Sequence, residues 1–375
     1  MNPSRPKFAL IGHPADLPLF RAYINYLKPG KTFRDELILK LFEWTPPYKA
    51  RSWNNVSLDG KTSGDGILIM VPFLPEMRDI SLKTVIGKVE AAVAIAAAEG
   101  CSVAALGAFT SIVVQGKEAE IGGRHGITLT SGNATTAALI ALSLQNLASR
   151  FHRPLSRETA AVIGASGDIG LGVTLWLGAR VKKLVLTARN GAMLEQMAAR
   201  HWRSLACETA ITTDNGNAIK QAGIAVFVTS AYRPLFKQED FNPGTIVCDA
   251  SAPLNVSAGG GPRSDMFLYH GGIAKLPCRL DPGFDIGLAA PDHLYGCMTE
   301  GMLLAFNPHL PPSLGRGNIT VDKINRFGEE LSRYAITPAY SSGSRILKPS
   351  LQAFFCPAPT TKSISLQNPA GLCTL

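Results

Sequence analysis

The sequence predicts an α/β protein: a doubly wound parallel sheet joined to an N-terminal α/β domain and followed by a C-terminal helical segment. Between residues 159 and 270, short runs of β-type apolar residues alternate with helical stretches or loops. These runs are apolar throughout, which marks strands buried on both faces of a parallel sheet covered by helices. A glycine-rich turn, Gly164–Gly170, follows the first of them. It has the form of a strand-to-helix junction.

Taken in order, the first element with a clear period is a helix between Asp79 and Gly100. Leu82, Val85, Ile86, Val89, Val93 and Ala96 recur at three-and-four spacing, and Gly100 supplies a stop. A second helix is expected from about Ala134 to Leu147, with Asn133 as its N-cap. The polar, proline-bearing segment 151–158 marks a boundary. Strands are then expected at Thr159–Gly164, Lys183–Ala188, Ile224–Thr229, Thr245–Asp249 and Met266–His270, with a weaker one at Cys207–Thr212. Beyond Pro291 the chain reads helical through GCMTEGMLLAF and again from about Val321 to Ala335. After Lys348 it carries no acidic residue and no sustained period, the pattern of a loose tail. The expected division is therefore 1–155, 156–290, 291–345 and a flexible tail at 346–375.

With 375 residues, 46% of them hydrophobic and 17% charged, the chain is long and apolar enough to bury a substantial core, which excludes a disordered chain. The longest apolar stretch, Val85 to Val114, is broken by Lys88, Glu90, Glu99 and Gly100, so no transmembrane segment is expected. The apolar run Phe8–Ile11 is too short for a signal-peptide core, and a cytoplasmic protein is expected. Seven scattered cysteines with no C-x-x-C pair argue against a disulfide framework and against a metal site. His13, His125, His270 and His293 lack metal-ligand spacing, leaving surface or hydrogen-bonding roles. The formal net charge of +9 suits an anionic partner, although singly spread basic residues also describe an ordinary solvated surface.

The turn AVIGASGDIG carries chemistry. One glycine permits the tight bend, one lets backbone N–H groups approach a pyrophosphate, and one lets helix and strand pack closely, while the helix start supplies partial positive charge. Its spacing is G-x-x-G-x-x-G rather than G-x-G-x-x-G, which an ordinary glycine turn also satisfies. Gly164, Ser166, Gly167, Asp168, Ile169 and Gly170 are the cofactor-binding candidates here, joined by Arg189 and Asn190 after the second strand. An NAD site places an acidic residue at that strand end; a guanidinium there instead offers a forked donor to a 2′-phosphate. NADPH is the expected cofactor, the alternative being an arginine on a solvated loop.

Cys297, in HLYGCMTEGMLLAF, is a candidate nucleophile, since a thiol at a helix start is activated by the helix end, but a packed core cysteine fits the string as well. Glu300 lies one turn on, placed for proton handling or for a structural cap. Thr130, Ser131 and Asn133 in LTSGN carry side chains able to donate to a developing oxyanion, or to cap a helix. Catalytic candidates are thus Cys297, Glu300 and Ser131.

These blocks assemble into a resemblance. FALIGH (8–13), FLPEM (73–77), ALGAFTSIV (105–113), LTSGNATTA (129–137), VIGASGDIG (162–170), LVLTARN (184–190), HGGI (270–273), CMTEGMLLAF (297–306) and GNITVDKINRFGE (317–329) occur in this order. The chain resembles the long-chain fatty acyl-[acyl-carrier-protein] reductases of cyanobacterial type over roughly residues 7–340. The resemblance implies a Rossmann-type NADP domain and an N-terminal part that receives the acyl chain and its carrier. It further implies NADPH-dependent reduction of a fatty acyl thioester, on acyl carrier protein or coenzyme A, to a fatty aldehyde in lipid metabolism. Cys297 would be the acylated nucleophile, Gly164, Gly167, Gly170 and Arg189 would bind NADPH, and an aldehyde-consuming enzyme would be a partner. A shikimate-type dehydrogenase, an aminoacyl-tRNA reductase and a non-catalytic NADPH-binding regulator are the alternatives; no nucleic-acid partner is expected.

Overall fold

The structure is a computed structural model that describes residues 5–14, 16–30, 33–74, 77, 80–257, 263–342 and 345–349. The expected tail lies outside the described residues from 350 onward, and so do Pro75 and Glu76 of the FLPEM block.

The apolar run KFALIG forms β1 (Lys7–Gly12), buried from Phe8 on. Next come α1 (Leu17–Leu27), whose first turn is capped by Asp16, and α2 (Asp35–Trp44). A hairpin of β2 (Tyr48–Ser57) and β3 (Ser63–Met70) leads to α3 (Leu82–Ala98), where the Ser81 hydroxyl accepts from the Thr84 N–H. Then follow β4 (Val103–Leu106), α4 (Phe109–Val113), α5 (Glu118–His125), β5 (Thr128–Thr130) and α6 (Asn133–Arg150). The sheet order is β2-β3-β1-β4-β5, with β2 the antiparallel edge and the rest parallel. Helix α6 starts one residue before the expected position: Gly132, not Asn133, is its N-cap, because the chain turns into the helix through a left-handed residue at φ +67.

The second sheet is built from β6 (Thr159–Ile163), α7 (Asp168–Gly178), β7 (Lys183–Thr187), α8 (Gly191–Met197), β8 (Glu208–Thr212), α9 (Asn215–Gln221) and β9 (Ile224–Phe227). It continues through a short β10 (Phe236–Lys237), β11 (Ile246–Asp249), β12 (Val256–Ser257), which pairs with β10, and β13 (Phe267–His270). The six main strands run parallel in the order β13-β11-β9-β6-β7-β8. The chain moves outward from β6 to β8 and then crosses back to β9. That reversal leaves a crevice at the carboxyl ends of β6 and β9, where doubly wound sheets bind ligands. The strands are sealed on both faces, by α6 and α7 on one side (Val162, Leu184, Val226) and α9 on the other (Ala161, Val185, Ala225), as their unbroken apolar composition predicts.

The remaining elements are β14 (Ile273–Lys275), β15 (His293–Tyr295), α10 (Gly296–Phe306), α11 (Val321–Arg333) and β16 (Thr337–Pro338). The three strands form an antiparallel sheet in the order β15-β14-β16. Helix α10 returns to the first half of the chain and packs on β1, β4, β5 and α6, whereas α11 lies on α6 and α7. Apolar or small on every side except at Thr299 and Glu300, α10 belongs inside, and Met298 through Leu304 are buried. Helix α6 is flanked by both large sheets and shares their core.

Candidate functional site

The glycine turn after β6 is shaped by its backbone. Gly164 sits at φ +94, a conformation that a side chain disfavours, and a Cβ there would lie 2.7 Å from the Val228 carbonyl oxygen. Gly167 is the N-cap of α7, and its N–H returns to the Gly164 carbonyl at 3.0 Å. A Cβ on Gly170 would fall 2.2 Å from the Gly164 oxygen, so helix and turn approach as only glycine allows. The exposed outer side of Gly167 leaves the start of α7 bare, a surface that fits a pyrophosphate. Arg189 is exposed just beyond the end of β7. The carboxamide of Asn190 caps α8 by accepting from the Met193 N–H at 3.0 Å, so that oxygen is engaged.

Asp168, placed by the sequence among cofactor contacts, points elsewhere. One carboxylate oxygen accepts from Asn133 Nδ2 at 2.9 Å and the other from the Gly317 N–H at 2.9 Å. Burial raises its pKa, opposed by those two hydrogen bonds. It ties the glycine turn to α6 and to the 307–320 loop rather than facing a ligand.

The same residues of α6 reach the candidate nucleophile. A Cβ on Gly132 would lie 2.1 Å from Cys297 Cα and 2.2 Å from its carbonyl oxygen, so the starts of α6 and α10 touch backbone to backbone. Gly132 is bonded to Asn133 and Asn133 is hydrogen-bonded to Asp168, which puts Cys297 and the glycine turn on two sides of one helix start. Cys297 occupies the second position of α10 and is half-buried. Burial pushes its thiol above the ordinary cysteine range, and the nearby Glu300 charge acts the same way. The backbone N–H groups of Ala108, Met298 and Cys297 itself oppose this.

Glu300 is fully buried and its four hydrogen bonds are structural. One oxygen accepts from the Thr130 hydroxyl and from the Ser313 N–H at 2.9 Å; the other accepts from the Thr135 N–H at 3.0 Å and hydroxyl at 3.1 Å. It clamps β5, the start of α6 and the 307–320 loop onto α10. Ser131, also buried, donates both its N–H (2.9 Å) and its hydroxyl (3.2 Å) to the Ser313 carbonyl, so that hydroxyl proton is spent. Lys323 fastens the same loop through Pro312 O at 2.7 Å and Asn318 Oδ1; burial lowers its pKa while Glu300 and Asp168 raise it. Of the three expected catalytic residues, Glu300 and Ser131 are buried and hydrogen-bonded in this clamp, and Cys297 is half-buried at the start of α10.

Two further residues lie near this site: His13, given only a surface or hydrogen-bonding role by the sequence, and Ala108, which the sequence did not single out. His13, at the end of β1, has its Nδ1 2.7 Å from Pro14 O and accepts the Phe109 N–H at Nε2 (3.1 Å). Burial lowers its pKa to about 4. Ala108, beside Phe109, adopts φ +49 and ψ −126, rare for a residue with a side chain. The position of His13 at the carboxyl end of a parallel strand was a readable signal; the Ala108 dihedral was not. His270, its pKa lowered to about 4 by burial, has its ring 6.0 Å from that of Tyr295, the N-cap of α10. Among the described residues no group of three or more His, Cys, Asp or Glu could hold a metal, and no helix is long and apolar enough to cross a membrane.

Fold and glycine turn define an α/β protein with a Rossmann-type, doubly wound parallel sheet. No family model matches the chain. It is 29% identical over 360 residues to the long-chain acyl-[acyl-carrier-protein] reductase of Synechococcus elongatus, spanning 88% of this chain and 98% of that protein. It is also 25% identical over 361 residues to aminotransferase PigE of a Serratia species, spanning 91% of this chain but 41% of PigE. Among solved structures, L-tryptophan dehydrogenase from Nostoc punctiforme matches with a TM-score of 0.40 and 10% identity, over 87% of this chain and 80% of that one.

Proposed function

We propose that this chain is an NADPH-dependent reductase that converts a fatty acyl thioester, borne by acyl carrier protein or coenzyme A, into a fatty aldehyde through an S-acyl intermediate on Cys297. The observation that carries this reading is the half-buried thiol at the start of α10, packed against the turn at Gly107, with one helix start between it and the glycine turn. The similarity to the Synechococcus reductase supports the same substrate class.

The chemistry follows from the thiol's state. Cys297 loses its proton to solvent and enters as the thiolate, and the departing carrier thiolate takes up a proton in turn, so exchange of one thioester for another balances without a separate base. The sulfur bonds to the acyl carbon, the carrier C–S bond breaks, and the acyl group stays on the enzyme. Gly164, Ser166, Gly167, Ile169 and Gly170 would hold the NADPH pyrophosphate and Arg189 its 2′-phosphate, and the cofactor when bound supplies the hydride that reduces the acyl carbonyl. Cys297 then leaves as thiolate, releasing the aldehyde, and the N–H groups of Ala108 and Met298 stabilise that thiolate. In this reading segment 1–155 receives the acyl carrier, 156–290 binds NADPH and 291–345 carries the nucleophile. The net charge of +9 draws in an acidic carrier, so association slows as salt is added.

The test is to incubate the protein with radiolabelled acyl carrier protein thioester without NADPH and follow label on the chain. The label is expected on the wild type and absent from Cys297→Ala. A labelled Cys297→Ala that still forms aldehyde removes the covalent step.

A further inference from the structure

We propose that His13 is a positioning residue for Cys297, holding the turn at Gly107–Phe109 so that the Ala108 N–H stays aimed at the Cys297 sulfur. This deepens the proposed function and rests on its reading of Cys297 as the nucleophile. The partners of His13 dictate its form. Pro14 O can only accept and the Phe109 N–H can only donate, so the neutral ring with its proton on Nδ1 satisfies both, at 2.7 and 3.1 Å. Phe109 is the first residue of α4, and its N–H has no partner within that helix. His13 supplies the missing acceptor from a strand 96 residues away.

Two contacts bring this turn to the thiol. The Gly107 N–H donates to Ile11 O at 2.8 Å, extending the β1–β4 ladder by one bond, and a Cβ on Gly107 would lie 3.9 Å from the Cys297 sulfur. Ala108, the next residue, is held at φ +49 and ψ −126, from which a chain with a Cβ relaxes unless its neighbours prevent it. The bond from Phe109 to His13 restrains its C-terminal side at the N–H, while Thr110 and Ser111 hold the Gly107 and Ala108 carbonyls. The ring is fixed in turn by Phe73 at 4.5 Å and by Phe109 edge-on at 5.9 Å. Releasing Phe109 removes the one tie on this turn that comes from β1's end rather than from α4 itself, and lets the Ala108 N–H shift relative to the sulfur. Burial keeps the ring neutral across the working pH range, so the acceptor persists.

The experiment reads the thiol directly, as the pH-dependence of Cys297 alkylation by iodoacetamide, located by mass spectrometry, in the full-length protein. His13→Gln keeps an acceptor where Nε2 lies; His13→Asn keeps only the Nδ1-like end. Losing one donated bond raises the thiolate's proton affinity by about one unit, so His13→Asn is expected to alkylate about tenfold more slowly at pH 7.5, while His13→Gln stays within about twofold of wild type. The ionisable groups acting on the thiol, Glu300 on α10 and Tyr295 at its cap, are unchanged in both variants. Wild-type alkylation in His13→Asn overturns the proposal. So does a tenfold loss in folded His13→Gln, which keeps the test decisive where His13→Asn fails to fold. Acyl labelling of Cys297→Ala is scored separately, so a thiol that responds to His13 but never carries an acyl group refutes the nucleophile reading and not the positioning one.

Discussion

Glu300 offers the clearest separation between a chemical and a structural role. Its two oxygens accept four hydrogen bonds, two of them from the backbone N–H groups of Ser313 and Thr135. In Glu300→Gln one oxygen becomes an NH2, and whichever way the amide is turned, one of those N–H groups meets a donor. The threonine hydroxyls can rotate to accept, but a backbone N–H cannot. With the NH2 turned toward Ser313, the Ser313 N–H keeps only the Thr130 hydroxyl at 3.1 Å, and the four bonds each lose the strength of a charged acceptor, about 0.5–1 kcal/mol apiece, so the substitution destabilises the fold by about 2–4 kcal/mol. With a urea dependence of about 3 kcal/mol per M, the unfolding midpoint falls by about 1 M. Acyl labelling of Cys297, measured well below that midpoint, is expected to persist, because no bond from Glu300 reaches the sulfur. An unchanged midpoint combined with lost labelling would show that the carboxylate handles protons, and the clamp argument would be wrong.

Two other predictions follow from charge. Burial holds the Cys297 thiol above the ordinary value of about 8.5, and the thiolate is the attacking form, so the acylation rate at limiting substrate rises about tenfold per pH unit from 7 through 8.5. Rapid-quench labelling across that range checks it, and a plateau already reached at pH 7 contradicts it. Replacing Arg189 by Ala removes the forked donor to a 2′-phosphate, worth about 1.5–3 kcal/mol, and is expected to cut the NADPH-over-NADH preference in kcat/KM by one to two decades while NADH turnover stays level.

The sequence alone determined the second sheet. Strands β6, β7, β9 and β11 are buried on both faces, so their apolar runs need no partner to be recognised, and each of them, like the edge strand β13, falls within the expected stretch. The turn Gly164–Gly170 was equally legible, since glycine at a strand-to-helix junction answers a local steric demand. The cap of α6 was read as Asn133 because asparagine caps helices well; Gly132 takes the position since only a residue without a side chain can lie against the Cys297 backbone, a requirement written 165 residues further along the chain.

The site itself was decided by tertiary structure. Spacing alone left Glu300 suited to proton handling or a cap, and its clamp partners lie 13 to 170 residues away. His13 looked ordinary, and its acceptor role exists because β1 ends beside the turn that follows β4. Nothing in CMTEGMLLAF states that α10 crosses back to the first sheet. Local pattern encodes whether a segment is buried and what period it follows, but the direction of a hydrogen bond, the strain at Ala108 and the solvation of a thiol depend on which distant segments meet, and that is settled only when the chain has packed.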